Sequence, residues 1–139
     1  MAYWLFKTEP ESWSWEQQKA KGAKGEPWSG VRNFQAANNL KAMKKGERGF
    51  FYHSGEERSI VGIVEVIGEY RPDPSDEKGR FGLVDVKAVA DVPKPVTLQQ
   101  VKQDPKLAEM VLVKASRLSV QPVRDTEWKY ICKLGGVKT

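Results

Sequence analysis

The chain has 139 residues, of which 40% are apolar and 29% are charged, a balance typical of a globular protein rather than a disordered one. No apolar run approaches the roughly 20 residues of a membrane span. The start of the chain lacks the basic and apolar regions of a signal peptide. Cys132 is the single cysteine, which excludes an internal disulfide. We therefore expect one monomeric domain over residues 1–139, located in the cytoplasm.

The net charge of +5 is unevenly distributed along the chain. Residues 1–50 carry +4, residues 51–100 carry −3 and residues 101–139 carry +4. If the two ends of the chain meet in the fold, they form one basic face, which is a usual electrostatic footprint of nucleic-acid binding. A soluble protein that is merely basic is the competing interpretation, and charge alone does not separate the two.

The N-terminal third predicts one strand and two helices. Residues 3–7 are aromatic and apolar and indicate a buried strand, which ends near Pro10 because proline disfavours helical geometry in the residue before it. A serine, Ser12 or Ser14, is expected to cap a short helix that reaches about residue 21. Residues 22–27 are expected to form a loop, and Trp28 follows as an isolated loop tryptophan. Next comes a helix over residues 34–43, with Asn33 as its N-cap and an apolar stripe that includes Phe34, Ala37 and Leu40.

The middle of the chain predicts three strands. They cover residues 48–54, 60–70 and 81–92, with a polar loop over 71–80 and with Pro93 and Pro95 ending the third strand. A capping box at 97–100 then precedes a short helix, a strand over 118–123 follows, and a last helix is closed by Gly135 and Gly136. The fold class is α+β with about five strands. Glycine-bent strands of this kind can curl into a small barrel, and an open sheet is the alternative.

Catalytic and metal signatures are weak. His53 is the only histidine, and one histidine, one cysteine and scattered carboxylates are a poor zinc ligand set. We find no nucleophile elbow, phosphate loop or dinucleotide fingerprint, so no metal and no cofactor are expected. The enzymatic alternative is a small hydrolase or nuclease that uses His53, beside Ser54, as general base.

Aromatic and polar residues meet where a loop precedes a helix. The indole of Trp28 offers a face that stacks on nucleobases, or it covers the core as a lid. Arg32 can hold a phosphate or pair with a carboxylate, and Asn33 can read a base edge or cap the helix. Phe81 begins a strand after a loop, where it forms a second wall opposite Trp28 or belongs to the core. These residues predict a base-binding pocket.

Eight segments along the chain, in order and with suitable spacing, resemble the EVE domain family. They are Tyr3–Pro10, Trp13–Trp15, Trp28–Ala36, Phe51–Ser54, Ile60–Ile63, Val84–Val86, Pro95–Leu98 and Arg117–Pro122. The resemblance implies a PUA-like fold, a small and partly open β-barrel of about five or six strands with short helices packed around it. It also implies a similarity to YTH domains, which hold a methylated adenine of RNA in an aromatic cage, and binding of modified bases such as modified cytosines in DNA.

The resemblance also implies roles for particular residues. Trp28 matches the tryptophan that stacks on the base. The other matching positions are the helix-start pair Arg32 and Asn33, the strand-end residues Tyr52, His53 and Ser54, the N-terminal residues Lys7, Glu9 and Trp13, and the C-terminal residues Arg117 and Ser119. Two departures bear on ligand choice and phosphate contact, since many members have tryptophan in place of Phe81 and arginine in place of Ala37.

The sequence therefore predicts a non-catalytic module that binds nucleic acid and recognises a modified base, such as a methylated or hydroxymethylated cytosine or a modified RNA base. The residues expected to contact the base are Trp28, Asn33, Phe81, Tyr52, His53, Ser54 and Ser119. Those expected to contact the backbone or to line the pocket are Lys7, Glu9, Trp13, Arg32, Arg117, Lys41, Lys44 and Lys45. The alternatives are the hydrolase or nuclease using His53, and a module that senses a protein or a small molecule.

Overall fold

Six strands form one mixed sheet in the computed structural model, which describes residues 1–138. The strands are β1 (Tyr3–Thr8), β2 (Glu26–Trp28), β3 (Arg48–His53), β4 (Ser59–Pro72), β5 (Gly82–Thr97) and β6 (Val120–Val123). Five short helices accompany them: α1 (Trp15–Ala20), α2 (Phe34–Ala42), α3 (Leu98–Gln103), α4 (Val111–Lys114) and α5 (Asp125–Leu134).

The strand order is β2-β5-β4-β3-β1-β6, so β2 and β6 lie at the two edges and the sheet is not closed. Strand β1 is parallel to β3, and the other neighbouring strands are antiparallel. The predicted α+β class and the partly open, PUA-like architecture are confirmed. Because β6 pairs with β1, the first and last parts of the chain meet, as the basic-face hypothesis requires.

The longest pairing joins β4 and β5, and its irregularities explain one wrong prediction. We expected Pro93 and Pro95 to end the third strand, but β5 continues through both to Thr97. The pairing passes from Gly62–Asp91 to Ile60–Val96, so four residues of β5 stand opposite one residue of β4. A bulge of this kind needs no ladder hydrogen bond from the prolines, which is why the strand accommodates them.

Two apolar clusters lie on opposite sides of the sheet, because successive strand residues point to opposite faces. The first cluster contains Phe6 and Phe51 and is covered by α2. The second contains Leu5 and Phe50 and is covered by α3, α4 and α5. Gly62 is required in the first layer, since a Cβ there would lie 2.3 Å from the Trp15 ring.

The helix caps agree with the prediction from sequence, but the buried face of α2 differs from it at one residue. Side chains cap the helices at Ser14, Asn33 and Thr97, as predicted. Phe34 was predicted in the buried stripe of α2, yet it is 60% exposed. It is the first residue of α2 and lies outside the buried face, where the predicted Ala37 and Leu40 are confirmed and Ala36 joins them.

Candidate functional site

A pocket of about 440 Å³ opens beside the ends of β1 and β2, on the side of the sheet that α2 covers. Two tryptophans and two cationic residues line it, together with hydroxyl side chains and one carboxylate. The aromatic and cationic residues are Trp13, Trp28, Lys7 and Arg32, and the others include Thr8, Ser12, Ser29, Ser119 and Glu26. The pocket therefore combines flat apolar surfaces with hydrogen-bond donors.

Trp28 is the last residue of β2, where it pairs with Val84 of β5. The prediction of an isolated loop tryptophan was wrong, because a three-residue strand is too short to show alternation in sequence. The side chain is only 8% exposed and packs edge-on against Phe6 and Phe51, with ring centroids 5.1 and 5.7 Å away. The residue belongs to the core and also lines the pocket.

Trp13 supplies the second indole, from the turn between β1 and α1. Its backbone N–H donates to the carbonyl of Glu9 at 3.0 Å, which fixes the turn. Its ring N–H donates to the side chain of Gln18 at 2.9 Å, and the Gln18 amide donates to the Val86 carbonyl at 3.2 Å. This chain of hydrogen bonds holds the half-buried Trp13 ring at the pocket. Glu9 itself is exposed and does not line the pocket.

Lys7, near the end of β1, contributes to the lining of the pocket. The ammonium donates to the Ser116 carbonyl and lies 5.7 Å from the centroid of the Tyr52 ring. The backbone N–H of Lys7 donates to the Ser119 carbonyl at 2.9 Å, which joins the two ends of the chain here. Burial of the ammonium lowers the pKa of Lys7.

A buried carboxylate that sequence analysis missed, Asp73, fixes the third side of the pocket. It accepts hydrogen bonds from the Gly30 N–H at 2.8 Å and from the Arg32 guanidinium at 3.3 Å. It also accepts from the backbone and hydroxyl of Ser75, at 2.8 and 2.6 Å. Burial acts to raise the pKa of Asp73, but the hydrogen bonds from Ser75, Gly30 and Arg32 outweigh it and lower the pKa to about 2.

Two residues predicted to contact the base do not line this pocket. The amide oxygen of Asn33 accepts from the Ala36 N–H at 2.9 Å, so the side chain serves as the cap of α2. Phe81 is buried against Phe34, with ring centroids 4.7 Å apart, and is therefore not the wall opposite Trp28. The second indole of the pocket comes from Trp13.

The strand-end residues Tyr52, His53 and Ser54 also lie outside the lining. His53 is 7% exposed. Its Nε2 accepts from the Trp15 N–H at 3.0 Å, and its Nδ1 lies 2.6 Å from Glu57. With Nε2 accepting, the proton is on Nδ1 and is donated to Glu57. Both nitrogens are engaged, so this histidine has no free position from which to activate a nucleophile. Tyr52 is buried in the second cluster, and the Ser54 N–H donates to the Thr8 carbonyl.

The remaining predicted cations do not line the pocket. Arg117 is exposed two residues before Ser119. Lys41, Lys44 and Lys45 are exposed at the C-terminal end of α2, whereas the pocket adjoins the N-terminal end. Within residues 1–138, no group of three or more histidine, cysteine or acidic residues is arranged to hold a metal ion. No helix in that range is long and apolar enough to cross a membrane.

Solved structures and curated relatives resemble the chain over most of its length. A crystal structure of a protein from Agrobacterium tumefaciens is 53% identical, with a TM-score of 0.95, and the match covers 99% of this chain and 94% of that one. Human THYN1 in complex with DNA containing 5-methylcytosine is 33% identical, with a TM-score of 0.89 and full coverage of both chains. Thymocyte nuclear protein 1 of Gallus gallus is 34% identical over 95% of this chain and 68% of its own length.

A more distant structure supports the fold alone. The YTH domain of the Zygosaccharomyces rouxii MRB1 protein, solved with N6-methyladenosine RNA, has a TM-score of 0.59 at 19% identity, and the match covers 99% of this chain and 86% of that one.

The family model described as the EVE domain matches residues 2–134. The match spans all six strands and all five helices, and the chain therefore belongs to the EVE domain family.

Proposed function

We propose that the protein is a non-catalytic nucleic-acid-binding module that receives a modified base in the pocket between Trp13 and Trp28. The observation that carries the proposal is the pocket itself, which sets two indoles and two cations around about 440 Å³. That volume lies within the roughly 300–1,000 Å³ of small-molecule sites. The relative solved with DNA containing 5-methylcytosine makes a methylated cytosine the first candidate.

Stacking supplies the affinity for the base. A base stacked on an aromatic side chain gains about 1–3 kcal/mol, and extruding a base from a duplex costs a few kcal/mol. Contact with both Trp13 and Trp28 therefore offsets the extrusion, and a single contact leaves little surplus. A methyl group adds apolar area that is buried between the indoles, which favours the modified base over the unmodified one.

Hydrogen-bond donors orient the base. Lys7 is half-buried, and within residues 1–138 its ammonium has one hydrogen-bond acceptor, the Ser116 carbonyl, so it keeps N–H groups free for a carbonyl oxygen of the ligand. Ser29 and Ser119 add hydroxyl groups that donate or accept. We assign reading of the base edge to these side chains, in place of Asn33, whose amide oxygen caps α2, and Ser54, which does not line the pocket.

Phosphate contacts fall to the surrounding cations. Arg32 lines the pocket while it is held by Asp73, and Arg117 lies two residues before Ser119, just ahead of β6. Lys41, Lys44 and Lys45, at the end of α2, are assigned to phosphates of the bound nucleic acid that lie outside the pocket. We still predict that the protein acts in the cytoplasm.

The test is a titration of fluorescent oligonucleotides that differ at one central base. The set comprises DNA with cytosine, 5-methylcytosine and 5-hydroxymethylcytosine, as single strands and duplexes, and RNA with adenine and N6-methyladenine. We expect one modified base to bind at least about five-fold more tightly than its unmodified form. Equal affinity for every modified and unmodified pair would refute the proposal.

Variants locate the base in this pocket. Trp13→Ala is expected to weaken binding of the preferred oligonucleotide by about five-fold or more, the equivalent of one base–indole stacking interaction. Lys7→Met is expected to reduce the preference between modified and unmodified bases. Tyr130→Ala is the matched control, because Tyr130 is a partly buried aromatic residue that packs on the opposite side of the sheet. Wild-type affinity in Trp13→Ala would place the base elsewhere.

A further inference from the structure

The first residue of α2 is an exposed aromatic side chain for which the base pocket leaves no role. Phe34 is 60% exposed, more than any other large apolar side chain in residues 2–138. An exposed phenylalanine contributes little to stability, since most of its surface stays in water. Its position is nevertheless close to the pocket, because Arg32, two residues earlier, lines the pocket wall.

The Phe34 ring rests on a rigid support. It packs against Phe81 with centroids 4.7 Å apart and planes inclined by 32°. Phe81 is buried, and its backbone N–H donates to the Asp76 carboxylate at 2.7 Å. The same carboxylate accepts from the Arg80 and Lys78 N–H groups, so the loop that ends at Phe81 is fixed. One face of the Phe34 ring is therefore held in place while the ring stays accessible.

Two guanidinium groups flank this aromatic pair. Arg32 and Arg80 each place the guanidinium carbon 5.8 Å from the centroid of the Phe81 ring. Arg32 is also held by Asp73, whereas the Arg80 side chain forms no ion pair with any of residues 1–138. An exposed aromatic ring that packs on a second ring with two guanidinium groups near it has the composition of a stacking platform for single-stranded nucleic acid.

We infer that Phe34, supported by Phe81 and flanked by Arg32 and Arg80, forms a second subsite that stacks on the nucleotide next to the extruded base. The inference rests on the proposed function. When one base leaves the stack, its neighbour loses a stacking partner and exposes an apolar face. Arg32 contributes to both the base pocket and the second subsite. When a nucleic-acid strand places one base in the pocket, its adjacent nucleotide therefore lies near the Phe34 ring.

The experiment uses the full chain and an oligonucleotide with 2-aminopurine, a base whose fluorescence falls on stacking, directly 5′ or 3′ of the preferred modified base. In one of these positions the wild-type complex is expected to be dimmer than the Phe34→Ala complex. Phe34→Ala is also expected to weaken binding about five-fold or more, with an unchanged dependence of affinity on salt. Phe34→Trp is expected to retain or increase the affinity.

Two further variants separate stacking from charge. Arg80→Gln is expected to reduce the slope of log K against log salt by about 0.7–0.9, the equivalent of one phosphate contact. Leu134→Ala, which removes another exposed apolar side chain, is the control and is expected to bind like the wild type. Wild-type affinity and wild-type 2-aminopurine signals in Phe34→Ala would overturn the inference. So would self-association of the protein that depends on Phe34 while oligonucleotide affinity does not.

The outcomes for the two proposals are distinguishable. If the wild type prefers a modified base and Phe34→Ala behaves like it, only the second subsite is refuted. If the wild type shows no preference for modified bases but Phe34→Ala still weakens binding, the base pocket is refuted. The second subsite then remains as a contact between the protein and the nucleic-acid strand.

Discussion

Trp28 contributes both to the core and to the pocket, which complicates its use as a probe of binding. Its edge-on contacts with Phe6 and Phe51 fix the ring, so the contribution of Trp28 to the pocket lining is preorganised. A pocket wall that is also a core residue needs no reorganisation when the ligand arrives. The same arrangement means that a large change at Trp28 alters the folded state before it alters recognition.

We predict that Trp28→Ala lowers the free energy of unfolding by about 3–5 kcal/mol, because it leaves a cavity between two aromatic rings. Trp28→Phe retains most of the apolar contact and is expected to lose less. Urea denaturation measures both values. Trp13→Ala is the comparison, since Trp13 is only half-buried and is expected to lose less than Trp28→Ala. An equal loss at the two positions would contradict the assignment of Trp28 to the core.

His53 is the residue on which the enzymatic alternative depends, and its contacts predict a structural role. In His53→Ala the buried Trp15 N–H loses its acceptor, which costs about 1–3 kcal/mol. His53→Gln can supply an acceptor again and is expected to recover part of that loss. Thermal or urea unfolding gives the stability, and oligonucleotide affinity is expected to stay at the wild-type value in both variants. Nucleic-acid cleavage by the wild type that disappears in His53→Gln would establish the hydrolase instead.

Some residues of the pocket could be predicted from nearby sequence, and others could be found only in the structure. Trp13, Trp28 and Lys7 stand in segments that resemble the family, so sequence identified them without geometry. Asp73 stands in a polar loop without periodicity, and only burial shows that its carboxylate holds the pocket wall. Phe81 was misplaced because a residue that begins a strand can face either the pocket or the core, and the sequence does not determine which.

The loop before β5 holds one wall of the pocket in place through Asp73. Asp73 holds Gly30 and Arg32, and Gly30 has a φ of +81°, a backbone conformation that favours glycine. Since the folded pKa of about 2 lies below the unfolded value of 3.8, the charged carboxylate stabilises the fold by about 2 kcal/mol. That stabilisation is complete above pH 3.8 and is lost as the pH falls towards 2.

We predict that Asp73→Asn lowers the free energy of unfolding by about 2 kcal/mol at pH 7, and that its difference from the wild type shrinks as the pH falls from 4 to 3. Urea denaturation at pH 7, 5, 4 and 3 follows the change. Asp85→Asn serves as the control, because Asp85 forms a partly exposed ion pair with Arg71, and the expected loss is below about 1 kcal/mol. A pH-independent difference for Asp73→Asn would show that its charge does not carry the effect.

The strands show where sequence patterns stop being informative. β1 and β3 are continuous aromatic and apolar runs, and their positions follow from sequence. β2 is three residues long and exists because β5 offers an edge to pair with, which is a contact distant in sequence. The extension of β5 beyond Pro95 depends in the same way on its pairing with β4. The presence of β2 and the length of β5 both depend on pairings between residues far apart in sequence, which local propensity does not predict.

The charge of the whole molecule is organised by the pairing of β1 with β6. That pairing brings the two basic thirds of the chain together, so Lys7 from one end donates to Ser116 near the other. The lysines at the end of α2 lie on the side of the sheet that carries the pocket. Those of α5 lie on the opposite side. If the pocket binds a strand, the first group contacts phosphates and the second does not.

We therefore predict that replacing Lys41, Lys44 and Lys45 together by glutamine reduces the slope of log K against log salt by about 0.7–0.9 for each phosphate that these lysines neutralise in the wild-type complex. The preference for the modified base is expected to persist, because phosphate contacts position a strand without reading its bases. Titrations at four salt concentrations measure the slope. The matched control replaces Lys129 and Lys133 of α5 and Lys102 of α3, which removes the same charge from the other side of the sheet. An equal change of slope in the two triple variants would mean that net charge, and not this surface, governs binding.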